Sequence, residues 1–138
     1  MPQSVRFSYE FDTDIGLYGF PILPVTLFYK DRHIIVNGLV DSGAMVNVLP
    51  YSIGVALGAK WEDQPVLDRL GGNLSSAEVR ALTLQGYNAQ LVADKTFPLG
   101  FAWADTDNTR LIFGQINFFH QFTICFFRAD NYFEITSR

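Results

Sequence analysis

The stretch LVDSGAMVNVLP, residues 39–50, decides how this chain reads. Asp41 closes a run of apolar and β-branched residues, HIIVNGLV (33–40), and is followed at once by Ser42, Gly43 and Ala44. A carboxylate at the end of a buried strand is costly unless it is paired, hydrogen-bonded or facing a site. The plain alternative is a turn, because Asp, Ser and Gly are all common turn residues. The tripeptide alone does not separate the two readings, so its flanks must. Upstream, PILPVTLFY (21–29) and HIIVNGLV have strand composition, and the polar KDR between them is a hairpin turn. Downstream, NVLPYSIGVALG (47–58) mixes apolar residues with turn formers and holds a short helix after Pro50.

Further out the same β-rich pattern continues. VRFSYEF (5–11) alternates as a strand should, and PVLDRL (65–70) and AEVRALTLQG (77–86) are strands flanking GGNLSS, a glycine-led hairpin tip. YNAQLVADKTFPLGFAWA supplies further short strands, DTDN (105–108) is a turn, and LIFGQINFFHQFTICFFRADNYFEI ends the chain with a strand, a glycine, a helical turn or two and an aromatic hairpin turning at RADN. Many short strands with little helix predict an all-β barrel or sandwich. With 138 residues, 49% of them hydrophobic and 17% charged, residues 1–138 form one domain with a sizeable core. The sequence shows no internal repeat and no linker.

The order of elements around Asp41 resembles the retropepsin family, the retroviral-type aspartic proteases. In that family an apolar hairpin leads to a strand ending in a hydrophobic pair, then Asp-Ser/Thr-Gly-Ala, a spacer and a second apolar strand; PVTLFYKDRHIIVNGLVDSGAMVNVLP (24–50) follows that order. LIFGQINFF (111–119) is similar to the family's second motif, an apolar pair, a glycine and a polar residue leading into a short helix. VLDRLGGNLSSAEVRALTL occupies the interval of the family's flap. The resemblance covers about residues 20 to 136 and implies a closed barrel of short strands with a flap hairpin and one short helix.

It also implies roles. Asp41 is the catalytic carboxylate, Ser42, Gly43 and Ala44 form its loop, Gly114 allows a close crossing beneath that loop, and Gly71, Gly72, Asn73 and Leu74 form the flap tip. Val40, Leu49, Leu70 and Leu74 line the substrate pockets. Such enzymes hold two carboxylates so close that both cannot ionise; one keeps its proton while the other acts as base toward a shared water. The chain has a single motif of this kind, since DTDN lacks the glycine and the apolar approach strand. A dyad therefore requires a homodimer with Asp41 of each copy on the two-fold axis. The partners implied are a second copy and an extended peptide or protein substrate, with no metal and no cofactor. Two features depart from the family: Gln115 stands where many members have an interface arginine, with Arg110 upstream, and the flap tip is more polar than many.

Other chemistries find little support. A net charge of −4 gives no footprint for nucleic acid. No apolar run nears the length of a membrane span, and the N-terminal residues do not read as a secretory signal, so a soluble cytoplasmic protein is expected. Cys125 is the only cysteine, which excludes an internal disulfide and a thiolate zinc site. His33 and His120 lack partners at metal-ligand spacing, GGNLSS lacks the ending of a P-loop, no G-x-S-x-G surrounds Ser42, and Asp105 and Asp107 lack the other ligands of a calcium loop. Phe118, Phe119, Phe122, Phe126 and Phe127 are core or interface residues. The rival to an active peptidase is the same fold serving as a dimerisation or peptide-binding module, with Asp41 kept for loop architecture.

Overall fold

The computed structural model describes residues 3–11, 19–67 and 78–138. Its centre is a closed barrel of β4 (Ile22–Tyr29), β5 (Arg32–Val40), β6 (Asn47–Leu49), β7 (Val79–Tyr87), β8 (Phe97–Ala104) and β9 (Ile112–Phe113), in the order β4-β5-β9-β6-β8-β7. β7 closes the barrel by pairing with β4, Thr26 opposite Tyr87. The β4–β5 hairpin turns through Lys30 and Asp31, with Lys30 at φ 53°, the positive φ that a two-residue connection demands. Alternation then sets the inward face: Val36 and Val40 of β5 meet Leu23, Val25 and Leu27 of β4 in the core.

The short strand β9 is the element that positions the site. It lies between β5 and β6, parallel to β5 with Leu39 opposite Ile112 and Val40 opposite Phe113, and antiparallel to β6 at Val48. The two segments singled out in the sequence, 39–50 and 111–119, thus become neighbours although sixty residues of chain, 51–110, separate them. Burial drives this: Leu49, Phe113 and Trp103 are fully enclosed, and each such side chain contributes about 1.5–3 kcal/mol of transfer free energy. Helix α1 (Tyr51–Ala56) follows Pro50, and Ser52 receives an Asp107 carboxylate oxygen on its N–H at 2.8 Å. Asp107 therefore serves the helix start. Trp61 and Trp103 meet edge to face at 5.0 Å, with Tyr51 stacked on Trp103.

A second sheet, order β1-β11-β10, is built from β1 (Ser4–Ser8), β10 (Phe122–Phe127) and β11 (Tyr132–Ser137), all antiparallel. Aromatic contacts fasten it to the barrel: Phe97 meets Phe122 at 5.2 Å, and Phe118, just before β10, bridges Phe113 at 4.7 Å and Phe122 at 5.0 Å. β2 (Glu10–Phe11) pairs with β3 (Gly19–Phe20) in a two-stranded ribbon.

Three local expectations change. Residues 5–11 are not one strand: the Tyr9 N–H still extends the β1–β11 register to the Asn131 carbonyl at 2.8 Å, but the chain then leaves β11, so β1 ends at Ser8 and β2 begins at Glu10, where it pairs with β3. The described residues hold two short α-helices rather than one, since α2 (Phe118–Gln121) forms after the second motif. Leu49 does not line a pocket: it lies at 0% exposure inside the core. The expected flap residues Leu70, Gly71, Gly72, Asn73 and Leu74 lie outside the described residues. The arms that lead to them pair antiparallel, Leu67 N–H to the Val79 carbonyl at 2.9 Å and Ala81 N–H to the Pro65 carbonyl at 2.8 Å. No helix among the described residues is long and apolar enough to cross a membrane.

Candidate active site

Asp41 is the first residue past β5, and its N–H continues the ladder to the Phe113 carbonyl at 3.0 Å. The chain then turns sharply, with Ala44 N–H returning to the Asp41 carbonyl at 3.2 Å. That turn aims the Gly43 N–H at Asp41 Oδ1, 2.8 Å away. Among the described residues no donor reaches Oδ2. The carboxylate is half-buried, while Ser42 and Gly43 are exposed beside it. One oxygen is thereby held by backbone, and the other meets no donor among the described residues.

The second motif supports this turn from below. Gln115 N–H donates to the Ala44 carbonyl at 3.0 Å, Ile116 N–H donates to the Met45 carbonyl at 2.8 Å, and the Gln115 side-chain amide donates to the Ser42 carbonyl. Gly114 lies so close under the loop that a Cβ there would sit 2.4 Å from the Val46 carbonyl oxygen and 2.9 Å from that of Ala44. Both neighbours are backbone, so a side chain at 114 has no room unless the loop moves.

Asn47 holds the crossing together and was not singled out by sequence reasoning. It is the one buried polar residue, at 0% exposure, among the described residues. Its Oδ1 accepts the Gly114 N–H at 2.8 Å, while its Nδ2 donates to the Gly100 carbonyl at 2.9 Å and to Asn117 Oδ1 at 2.8 Å. Asn117, at φ 77°, also accepts the Gly100 N–H at 3.1 Å, and its own N–H meets His120 Nδ1 at 3.3 Å. A buried amide with every group partnered is the form in which such a residue is tolerated. The available signal was a lone Asn inside the apolar run MVNVLP.

Two depressions flank the loop. One, of about 280 Å3, is lined by Phe20, Pro21, Leu39 and Val40 together with Asp41, Ser42 and Phe126. The other, of about 190 Å3, lies between Val46, Leu67, Leu82, Phe101 and Ile116 and carries no charged residue in its wall. Met45 and Ile116 stand exposed at 62% and 47%. Among the described residues no cluster of three or more His, Cys, Asp or Glu suited to a metal ion occurs. Arrangement and chemistry therefore centre on one carboxylate, a backbone donor and apolar walls.

The chain has a retropepsin-like, all-β fold. It is similar over 99% of its length to the crystal structure of a retropepsin-like aspartic protease from Rickettsia conorii, with 94% of that chain covered, a TM-score of 0.66 and 12% sequence identity. No family model matches the chain, and no curated protein matches it in sequence. The likeness is one of fold.

Proposed function

We propose that the chain is one subunit of a homodimeric aspartic endopeptidase, a single domain over residues 1–138 working in the cytoplasm. The observation that carries this reading is the state of Asp41: half-buried at a strand end, one oxygen held by Gly43 N–H, the other met by no donor among the described residues. Two such carboxylates on a two-fold axis form the dyad. A water between them loses a proton to the ionised Asp41 and attacks the peptide carbonyl carbon, while the protonated Asp41 gives its proton to the carbonyl oxygen. Collapse of the tetrahedral intermediate breaks the C–N bond, and the amine leaves with a proton returned from the dyad. No covalent intermediate, metal or cofactor enters this scheme.

In this reading Ser42, Gly43 and Ala44 shape the floor, Gly114 supports it, and residues 71–74 act as the flap. Substrate lies as an extended strand whose alternate side chains enter apolar walls. The structural likeness to an aspartic protease supports the class of reaction, and the apolar depressions beside the loop support hydrophobic residues flanking the cut.

The test is a mixed peptide library incubated across about pH 4 to 7, the window in which a carboxylate pair can share one proton, with cleavage read by mass spectrometry. Wild type is expected to cut on the acid side of that window and Asp41→Asn to lose all cleavage. A confirmed dimer that binds peptides and cuts none at any pH would replace this reading with the binding module.

A further inference from the structure

Asn117, at the foot of the crossing, has its backbone at φ 77° and ψ −63°, the region of a rare and strained three-residue turn. Such a conformation persists only where its surroundings over-determine it. Asn117 Oδ1 accepts from Asn47 Nδ2 at 2.8 Å and from the Gly100 N–H at 3.1 Å, and its Nδ2 donates to the Pro98 carbonyl at 3.3 Å. Those bonds join amides, which do not titrate. The remaining hold is different in kind: the Asn117 N–H donates to His120 Nδ1 at 3.3 Å. That nitrogen accepts only while the ring is neutral and carries its proton on Nε2. His120 stands at the third position of α2, where the acceptor for this N–H is ordinarily a Glu or Gln side chain. An imidazole in that place can be switched between pH 5 and 8, and a Gln cannot.

We propose that His120 is a proton-operated positioning residue: its neutral ring locks Asn117, and its protonation loosens the crossing on which the Asp41 loop rests. This deepens the peptidase reading of Asp41 and rests on it. The contacts run without a gap. Asn117 Oδ1 holds the Asn47 amide, Asn47 Oδ1 holds the Gly114 N–H at 2.8 Å, and Gly114 lies beneath Ala44, whose N–H returns to the Asp41 carbonyl. Once protonated, Nδ1 becomes a second donor facing the Asn117 N–H. The bond gives way to an opposition of two donors, and the strained backbone loses one of its holds. His120 is exposed, so its ring exchanges protons with solvent, and no ion pair among the described residues involves it. The strands around α2 bring it little charge: β6, β8 and β9 carry no titratable side chain and β10 only Cys125. Arg138 follows Ser137, which pairs with Phe122 at the end of α2, and Asp94 and Lys95 stand shortly before β8, whose Pro98 carbonyl meets Asn117. The sign is fixed by the acceptor. The bond is whole on the alkaline side of the imidazole range and is lost as pH falls through it, toward the range in which a carboxylate pair shares its proton. Activity therefore has an acid limit set outside the carboxylates.

The experiment follows amide exchange of the full chain by NMR from about pH 5 to 8, corrected for the intrinsic pH dependence of exchange, in wild type, His120→Gln and His120→Lys. Gln keeps an acceptor that does not titrate, and Lys offers none at any pH. In wild type, protection at Gly114 and Asn117 is expected to fall about three- to tenfold toward the acid end, the weight of one hydrogen bond, while the β4–β5 ladder holds. His120→Gln should stay protected throughout, and His120→Lys should stay at the low level throughout. With the peptide library, His120→Gln should cut about three- to tenfold faster than wild type at the acid end and at the same rate near neutrality. Should His120→Lys fail to fold, the comparison of wild type with His120→Gln decides alone. Protection that does not change with pH in wild type, an acid loss that His120→Gln shares, or equal cleavage by the two at the acid end overturns the proposal and leaves the peptidase reading standing. The expected exchange pattern in a chain that cuts no peptide keeps the proton switch and removes the peptidase.

Discussion

Replacing Asn47 by Leu tests whether the buried amide holds the floor of the site. Leu shares the branching of Asn but is larger, and its methyl groups cannot sit 2.8 Å from a polar atom, so the change removes the hydrogen bonds and adds some overpacking. In the native protein Asn47 satisfies three groups: the Gly114 N–H, the Gly100 carbonyl and Asn117 Oδ1. Asn117 Oδ1 keeps the Gly100 N–H and loses least. The Gly114 N–H sits in a buried crossing and is left without an acceptor, at about 1–3 kcal/mol. The Gly100 carbonyl loses a donor and adds about 1 kcal/mol.

The expected destabilisation is about 2–4 kcal/mol, or a fall in Tm of roughly 10 °C for a chain of this length. Urea denaturation followed by tryptophan fluorescence gives the free energy, since Trp103 is enclosed near the crossing. Amide exchange locates it: the Gly114, Gln115 and Ile116 N–H groups should lose protection before the β4–β5 ladder does. Asn47→Asp separates the two halves of the network, for it keeps an acceptor toward Gly114 but turns a carboxylate oxygen on the Gly100 carbonyl and Asn117 Oδ1, and it should cost at least as much. A cost below about 0.5 kcal/mol for Asn47→Leu, the range of an ordinary surface change, with unchanged exchange at 114–116, would refute the reasoning.

The remaining predictions use the same crossing and the opposite corner of the fold. Gly114→Ala should destabilise by about 3 kcal/mol or more, the upper end for overpacking, because its Cβ meets backbone at 2.4 Å, whereas Gly100→Ala, with nothing within 4 Å of the new Cβ, should change stability by less than about 1 kcal/mol; paired thermal melts check both. Burial pushes the Tyr9 phenol above its ordinary value of 10.0, opposed by the Arg128 guanidinium nearby. Folding therefore favours the protonated phenol, so this contribution is whole below pH 10 and is lost as pH rises through the folded value. Tyr9→Phe should flatten the alkaline fall in stability relative to wild type, read as the difference between the two proteins' urea midpoints from pH 8 to 11.

Legibility in the sequence followed the range of the interactions. β4, β5 and their turn are visible in composition because burial on one face and a two-residue connection leave local marks. The LVDSGA segment is visible because a carboxylate ending an apolar run is out of place. The pairing of β9 between β5 and β6 has no local mark at all: two residues of strand are fixed by neighbours from distant parts of the chain, and only the resemblance to a family put 111–119 beneath 41–44. Asn47 was passed over since a single Asn beside Pro50 reads equally as a turn residue, and only its three partners reveal it as core. Gln115 had been read for what it lacks as an arginine; its amide instead ties Ser42 from within the same chain.

That last exchange bears on how a dimer would be held. An arginine at 115 would supply charge-assisted bonds to an interface, which are about twice as strong as neutral ones. Gln115 spends its amide on the loop of its own subunit, and its side chain offers one carbonyl oxygen more. In the proposed dimer the hydrogen bonds between copies then come from residues other than Gln115. Substituting Gln115 by Ala should therefore loosen the loop that carries Asp41, costing about 0.5–1.5 kcal/mol of stability and raising amide exchange at Gly43 and Ala44.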